Sequence, residues 1–160
     1  LSPDEASATN RPVRARRRIS GAVVIGGAGP AGLVAANLLG ADTRSLLRPG
    51  GRFGPLLEGF VLMELARQLT WSRQRAELFH YRTKDKVEVD AVLENRRGEV
   101  VGIEVKASST VGPDDFRGLR HLATRTGDDF IAGVVLYTGT QTLPFGPKMR
   151  AMPTAALWEI

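Results

Sequence analysis

Three residues at short spacings carry the strongest chemical signal in this chain. Asp90 ends the run Val87-Glu88-Val89-Asp90, and Glu104 and Lys106 stand in Ile103-Glu104-Val105-Lys106. Both runs alternate apolar and polar residues as half-buried strands do, so Asp90, Glu104 and Lys106 are expected on one face of a sheet. Two carboxylates and an ammonium on neighbouring strands are, in outline, an arrangement for Mg²⁺ and a phosphodiester.

The connecting turn makes that expectation geometric. With Arg96-Arg97-Gly98 as a three-residue loop and Gly98 in the left-handed region, Asn95 pairs with Glu99, Asp90 lies opposite Glu104, and Glu88 faces Lys106. Two carboxylates directly opposed repel unless a cation or a proton sits between them. A four-residue loop would put Asp90 and Glu104 on opposite faces instead. A plainer alternative stays open at this point: a solvated strand face on which Lys106 simply pairs with Glu88.

Around this pair the elements follow from hydrophobic spacing. Leu57, Phe60, Val61, Leu65 and Leu69 recur at helical intervals over residues 53–69, with Pro55 tolerable in the first turn, and Glu58 falls on the stripe of Val61, Leu62 and Leu65. Residues 76–82, 86–94 and 100–107 read as strands. Residues 113–124 read as a helix opened by Pro113 and Asp114, with Phe116, Leu119, Leu122 and Ala123 on its apolar face. Residues 130–137 (FIAGVVLY) are a strand apolar enough to be covered on both faces, and a short strand at 149–152 and a Trp158 anchor close the domain. The expected fold is therefore α/β, a mixed central sheet flanked by helices.

At 160 residues and 42% hydrophobic, the chain suits one globular domain with tails. It divides into a basic lead-in at 1–20, a glycine-rich stretch with a short helix at 21–52, and the domain proper at 53–160. The formal charge is +5, but Arg11, Arg14, Arg16, Arg17 and Arg18 against Asp4 and Glu5 leave only +2 outside the lead-in. Such a tail adds salt-dependent phosphate affinity without base specificity, or is merely solvated. The sequence holds no cysteine, which removes disulfides, thiolate zinc sites and thiol catalysis. No apolar run reaches bilayer length and the arginine-rich start is unlike a secretory signal, so a cytoplasmic protein without membrane contact is expected.

A competing motif lies upstream. Val23-Val24-Ile25-Gly26-Gly27-Ala28-Gly29-Pro30-Ala31-Gly32 satisfies G-x-G-x-x-G through Gly27, Gly29 and Gly32, and locally resembles the opening of a flavin-dependent monooxygenase. About twenty residues on, where an acid should end a second strand and hold a ribose, the chain reads Arg48-Pro49-Gly50-Gly51-Arg52. Binding of FAD or NAD is accordingly the third reading, and a glycine-rich turn feeding a short helix the plainer one.

The stretches GLVAANLLGAD, FGPLLEGFVLMELARQ, LFHYRTKDKVEVDAVLE, VVGIEVKAS, DFRGLRHL, GVVLYTG and MPTAALW, in this order, resemble the domain of unknown function at the C-terminus of many bacterial and archaeal AAA-type ATPases. That domain is a member of the PD-(D/E)XK nuclease-like superfamily, so the resemblance implies a restriction-endonuclease-like fold and a prokaryotic protein. It further implies that Asp90 and Glu104-x-Lys106 fill the D and E-x-K positions and that Glu58 matches the acid of the first core helix, with Glu64 in reserve. Helix acid, strand acid and E-x-K also recur in archaeal Holliday-junction resolvases, a distant similarity of site and not of substrate. No G-x-x-x-x-G-K-[ST] occurs in this sequence, so a stand-alone or truncated relative without the ATPase half is expected.

On that footing Glu58, Asp90, Glu104 and the carbonyl of Val105 would hold Mg²⁺ or Mn²⁺, while Lys106 orients or deprotonates the attacking water. The function implied is a Mg²⁺-dependent nuclease or nuclease-like DNA-binding domain. Its rival is a catalytically silent interaction or regulatory module serving an ATPase or a toxin-antitoxin-like partner. Ser108 and Ser109 could meet phosphate or cap a turn. Arg117, Arg120 and Arg125 could touch nucleic acid or form a solvated face. His80 and His121 are expected in ordinary surface or packing roles.

Overall fold

A computed structural model describes residues 53–159. The basic lead-in, the glycine motif of Gly27, Gly29 and Gly32, and the rest of 1–52 lie outside the described residues. The elements are α1 (Phe53–Leu69), β1 (Ala76–Arg82), β2 (Glu88–Asn95), β3 (Val100–Lys106), a 3-10 turn (Pro113–Phe116) running into α2 (Arg117–Thr126), then β4 (Phe130–Tyr137), β5 (Leu143–Gly146) and β6 (Met149–Pro153). The strands form one mixed sheet in the order β1-β2-β3-β4-β6-β5. β1, β2 and β3 are antiparallel neighbours, β3, β4 and β6 run parallel, and β5 closes the far edge antiparallel to β6.

Helices cover both faces. On one side Val61 and Leu65 of α1 pack on Ala91, Ile103, Val105 and Leu136. On the other, Phe116, Leu119 and Leu122 pack on Val89, Val92, Phe130 and Val135. β4 feeds both clusters alternately, which is why its sequence is apolar throughout rather than every second residue. The second helix begins as a 3-10 turn at Pro113, with the Gly112 N–H held by Asp115 Oδ2 at 2.9 Å, and becomes α-helical only at Arg117.

β5 was not expected. Leu143-Pro144-Phe145-Gly146 holds a proline, which cannot donate to a ladder, and the chain accommodates it by placing this strand at the sheet edge. The hairpin between β2 and β3 has the register that a glycine loop dictates. Gly98 has φ +82, its N–H donates to the Asn95 carbonyl at 2.9 Å, and the Asn95 N–H donates to the Glu99 carbonyl at 3.0 Å. Asn95 Oδ1 also accepts the N–H groups of Arg97 and Glu99, which locks the turn.

Candidate functional site

Strands β2 and β3 pair through Ala91 and Ile103 and no further, so they part just before Asp90 and Glu104. Continuing that register sets Asp90 opposite Glu104, as the three-residue loop requires. Where the ladder stops, the Asp90 side chain takes over a backbone partner: Asp90 Oδ2 accepts the Val105 N–H at 2.8 Å. Val105 thus enters the site through its N–H.

A β-bulge sits at the same place. Phe79 pairs with Val92 and Tyr81 with Val89, so His80 alone stands opposite both Asp90 and Ala91. The extra residue resets the alternation. Val89 and Val92, three apart, both join the core beneath α2, while Ala91 joins the core beneath α1. Gly118 lets α2 approach this point: a Cβ there would lie 2.2 Å from the Glu88 carbonyl oxygen.

Glu104 is the most constrained group of the set. Its side chain is 14% exposed, Oε1 accepts from Lys106 Nζ at 3.0 Å, and Oε2 is buried with no partner. Burial, and then the charge of Asp90, push its pKa up to about 7, against the opposing pull of Lys106. Asp90 is also raised, by burial foremost, with the Val105 N–H working the other way. Burial pulls Lys106 down, but the hydrogen bond and charge of Glu104, then Asp90 and Asp115, outweigh it and leave the ammonium raised. The plain hairpin in which Lys106 pairs with Glu88 is therefore not what forms: Glu88 pairs with Arg82 at 2.9 Å, and Lys106 with Glu104.

Glu58 is partly buried on α1, and its pKa is raised by desolvation and next by the charge of Asp90. It feels the strand pair electrostatically, yet among the described residues no three His, Asp or Glu side chains stand close enough together to grip an ion in this arrangement. The reserve acid, Glu64, is committed elsewhere. It binds Arg67 through both oxygens, Nε at 2.8 Å, and Gln68 at 2.9 Å, and Gln68 reaches on to the Leu157 carbonyl at 2.7 Å. That network ties α1 to the last 3-10 turn (Thr154–Leu157).

His80 is the neighbour that strand-by-strand reading misses. Its Nδ1 lies 3.4 Å from the Asp90 carbonyl, and its charge bears on both Glu58 and Asp90. Only the register of β1 on β2 could have revealed it. His121 instead packs its ring 6.0 Å from that of Tyr81. Ser108 caps a turn, its Oγ accepting the Thr110 N–H at 3.2 Å. Ser109 lines a shallow cleft of about 410 Å³ with Thr110, Tyr137, Thr138 and Gln141, where the loops after β3 and β4 meet. Arg120 is tied down by the Pro113 carbonyl at 2.7 Å, whereas Arg117 and Arg125 are exposed.

A two-layer helical cover on a six-stranded mixed sheet, with an acid pair and a lysine at the point where β2 and β3 part, defines an α/β domain with a charged strand-end site. Residues 53–157 match the family described as "Domain of unknown function (DUF4143)", and the chain belongs to that family. It is also similar to "Uncharacterized protein Mb2031c" of Mycobacterium bovis and "Uncharacterized protein Rv2008c" of Mycobacterium tuberculosis. Each is 31% identical over 116 residues, covering 72% of this chain and 24% of the relative. The chain thus spans about a quarter of the length of the curated relatives it matches. Among the described residues no helix is long and apolar enough to cross a membrane.

Proposed function

We propose that this domain is a Mg²⁺-dependent nuclease or a nuclease-like DNA-binding domain of the PD-(D/E)XK type. The observation that carries the reading is the Glu104 carboxylate, buried, with Oε2 unpartnered and with Asp90 across from it. A buried carboxylate oxygen without a partner is costly unless a proton or a cation satisfies it, and hard oxygen donors of this kind suit Mg²⁺ or Mn²⁺. Asp90 and Glu104 would hold the ion, with Glu58 and the Val105 carbonyl as the further ligands the family resemblance implies. When bound, such an ion supplies Lewis-acid stabilisation of charge developing on a phosphate.

The chain's own groups divide the remaining work. Lys106 is hydrogen-bonded to Glu104 and held as an ammonium by it, so in this arrangement its Nζ donates, orienting a water or steadying a phosphate oxygen. Val105 fixes the Asp90 carboxylate through one oxygen and leaves the other to a ligand.

Calorimetric titration with Mg²⁺ or Mn²⁺ tests this on the wild type, Asp90→Ala and Glu104→Ala. Binding is expected for the wild type and loss of most of it in both variants, accompanied by cleavage or retention of branched, single-stranded or duplex nucleic acid. A wild type that neither binds the ion nor acts on any of these substrates would sink the nuclease reading.

A second reading has its own support. Asp90 and Glu104 already have internal partners in Val105 and Lys106, and no three acids gather among the described residues. A module that keeps the fold and the acids while serving an ATPase or a toxin-antitoxin-like partner would look like this. Absence of ion binding, together with a folded Asp90→Ala variant that still engages such a partner, is the outcome that favours it.

A further inference from the structure

Helix α1 is apolar on more sides than the sheet uses. Val61 and Leu65 are buried, and Leu57 and Leu62 pack beside them on the sheet. Opposite them Phe53, Leu56, Phe60 and Met63 recur at intervals of three and four, making a second stripe along the outer face. Phe60 is 40% exposed and stacks against Trp158, itself 44% exposed, with ring centroids 5.6 Å apart. The stripe runs on to Arg67, whose guanidinium lies 4.6 Å from the ring of Trp71, 59% exposed. Three of the four exposed large hydrophobic residues among those described therefore lie along one side of one helix. A contiguous exposed apolar patch of this kind marks an interface.

The sequence points to the occupant. Residues 21–39 contain no charged side chain and are rich in Val, Leu, Ala and Gly, which suits the apolar run of Phe53, Leu56, Phe60 and Met63. Residues 40–52 connect that run directly to Phe53 and end in Gly50-Gly51-Arg52, where two glycines permit a reversal. A connector of that length spans up to roughly 40 Å. The 17-residue helix is only about 25 Å long. A tethered segment also meets the stripe at a high effective concentration, unlike a free partner.

We propose that residues 21–39 of this same chain dock on the outer stripe of α1 and on Trp158, closing the helix from the side away from the sheet. The glycine-punctuated run is then a packing segment, and its glycines serve close approach to α1 rather than a dinucleotide. This inference is independent of whether the acid pair binds an ion.

The chain has no cysteine, so a single nitroxide can be placed at will. Glu159→Cys puts it at an exposed position next to Trp158 and outside both the stripe and the acid site. In the full, isotopically labelled chain, amide signals of residues 31–39 are expected to lose most of their intensity when the label is paramagnetic, while those of residues 1–10 keep theirs. The Phe60 amide serves as the internal control, since it adjoins Trp158. Broadening of Phe60 with none in residues 21–39 overturns the proposal, as does uniform broadening of residues 1–39. A mixture of labelled and spin-labelled chains showing the same broadening between molecules overturns it too, by assigning the stripe to a second copy.

Discussion

Glu104 is held in a state that costs the fold something at neutral pH. Its pKa rises from 4.5 unfolded to about 7 folded, so between those values the folded protein keeps a proton that the unfolded chain has lost. Stability therefore falls as pH rises through that window and levels off above it; Asp90 and Glu58, also raised, act in the same sense. Glu104→Gln keeps an acceptor for Lys106 and removes the burden. Urea denaturation is expected to show this variant gaining about 2 kcal/mol relative to wild type between pH 4 and pH 8. An equal difference at both pH values would show that the carboxylate is not burdened. At this scale the sequence was informative where a turn fixes a register: with Gly98 closing a three-residue loop Asp90 opposes Glu104, and the Asn95–Glu99 pairing selects that loop over the four-residue alternative. The stripe of α1 and the family resemblance put Glu58 ahead of Glu64; the structure adds that Arg67 and Gln68 claim Glu64 while Glu58 feels the charge of Asp90.

Elements place these residues through features that hydrophobic spacing does not encode. The alternation in Val87-Glu88-Val89-Asp90 suggested one uninterrupted strand, but the bulge opposite His80 breaks the period, so Val89 and Val92 share a face. A bulge is a property of two strands paired, and neither strand announces it alone. β5 escaped notice for a related reason: its proline and glycine argue against a strand until its position at the edge is known. The two helices were legible because each buries a periodic face, and β4 because a run apolar throughout suits a strand covered on both sides. Gly118 shows how closely the second helix is fitted to the site. A Cβ there would meet the Glu88 carbonyl oxygen at 2.2 Å, and backbone cannot rotate away as a side chain can. Gly118→Ala is expected to cost about 1–3 kcal/mol in urea denaturation. Because the strain falls on the start of β2, any ion binding that calorimetry finds in the wild type should weaken in the same variant. A neutral effect on stability would mean that α2 can shift without disturbing β2.

For the molecule as a whole, charge separates two functions that the acid site leaves together. Most of the +5 net charge lies in residues 1–20, which carry five arginines against two acids, while the family match begins at residue 53. If the domain meets nucleic acid, the two parts should contribute differently. Arginines that neutralise phosphates release counterions, so each engaged one steepens the fall of log affinity with log salt by about 0.9 for duplex DNA. Base or structure preference must come from the folded part, where the loops after β3 and β4 meet beyond the end of the strand that carries Glu104 and Lys106. Replacing Arg11, Arg14, Arg16, Arg17 and Arg18 by Ser is therefore expected to reduce the salt slope of duplex binding by up to about 4. The ranking of branched, single-stranded and duplex substrates should stay as it is. Fluorescence anisotropy across a salt series reads both quantities in one experiment. An unchanged slope would show that the arginines never reach the phosphates, and a changed ranking would mean that the lead-in, not the strand-end site, chooses the substrate.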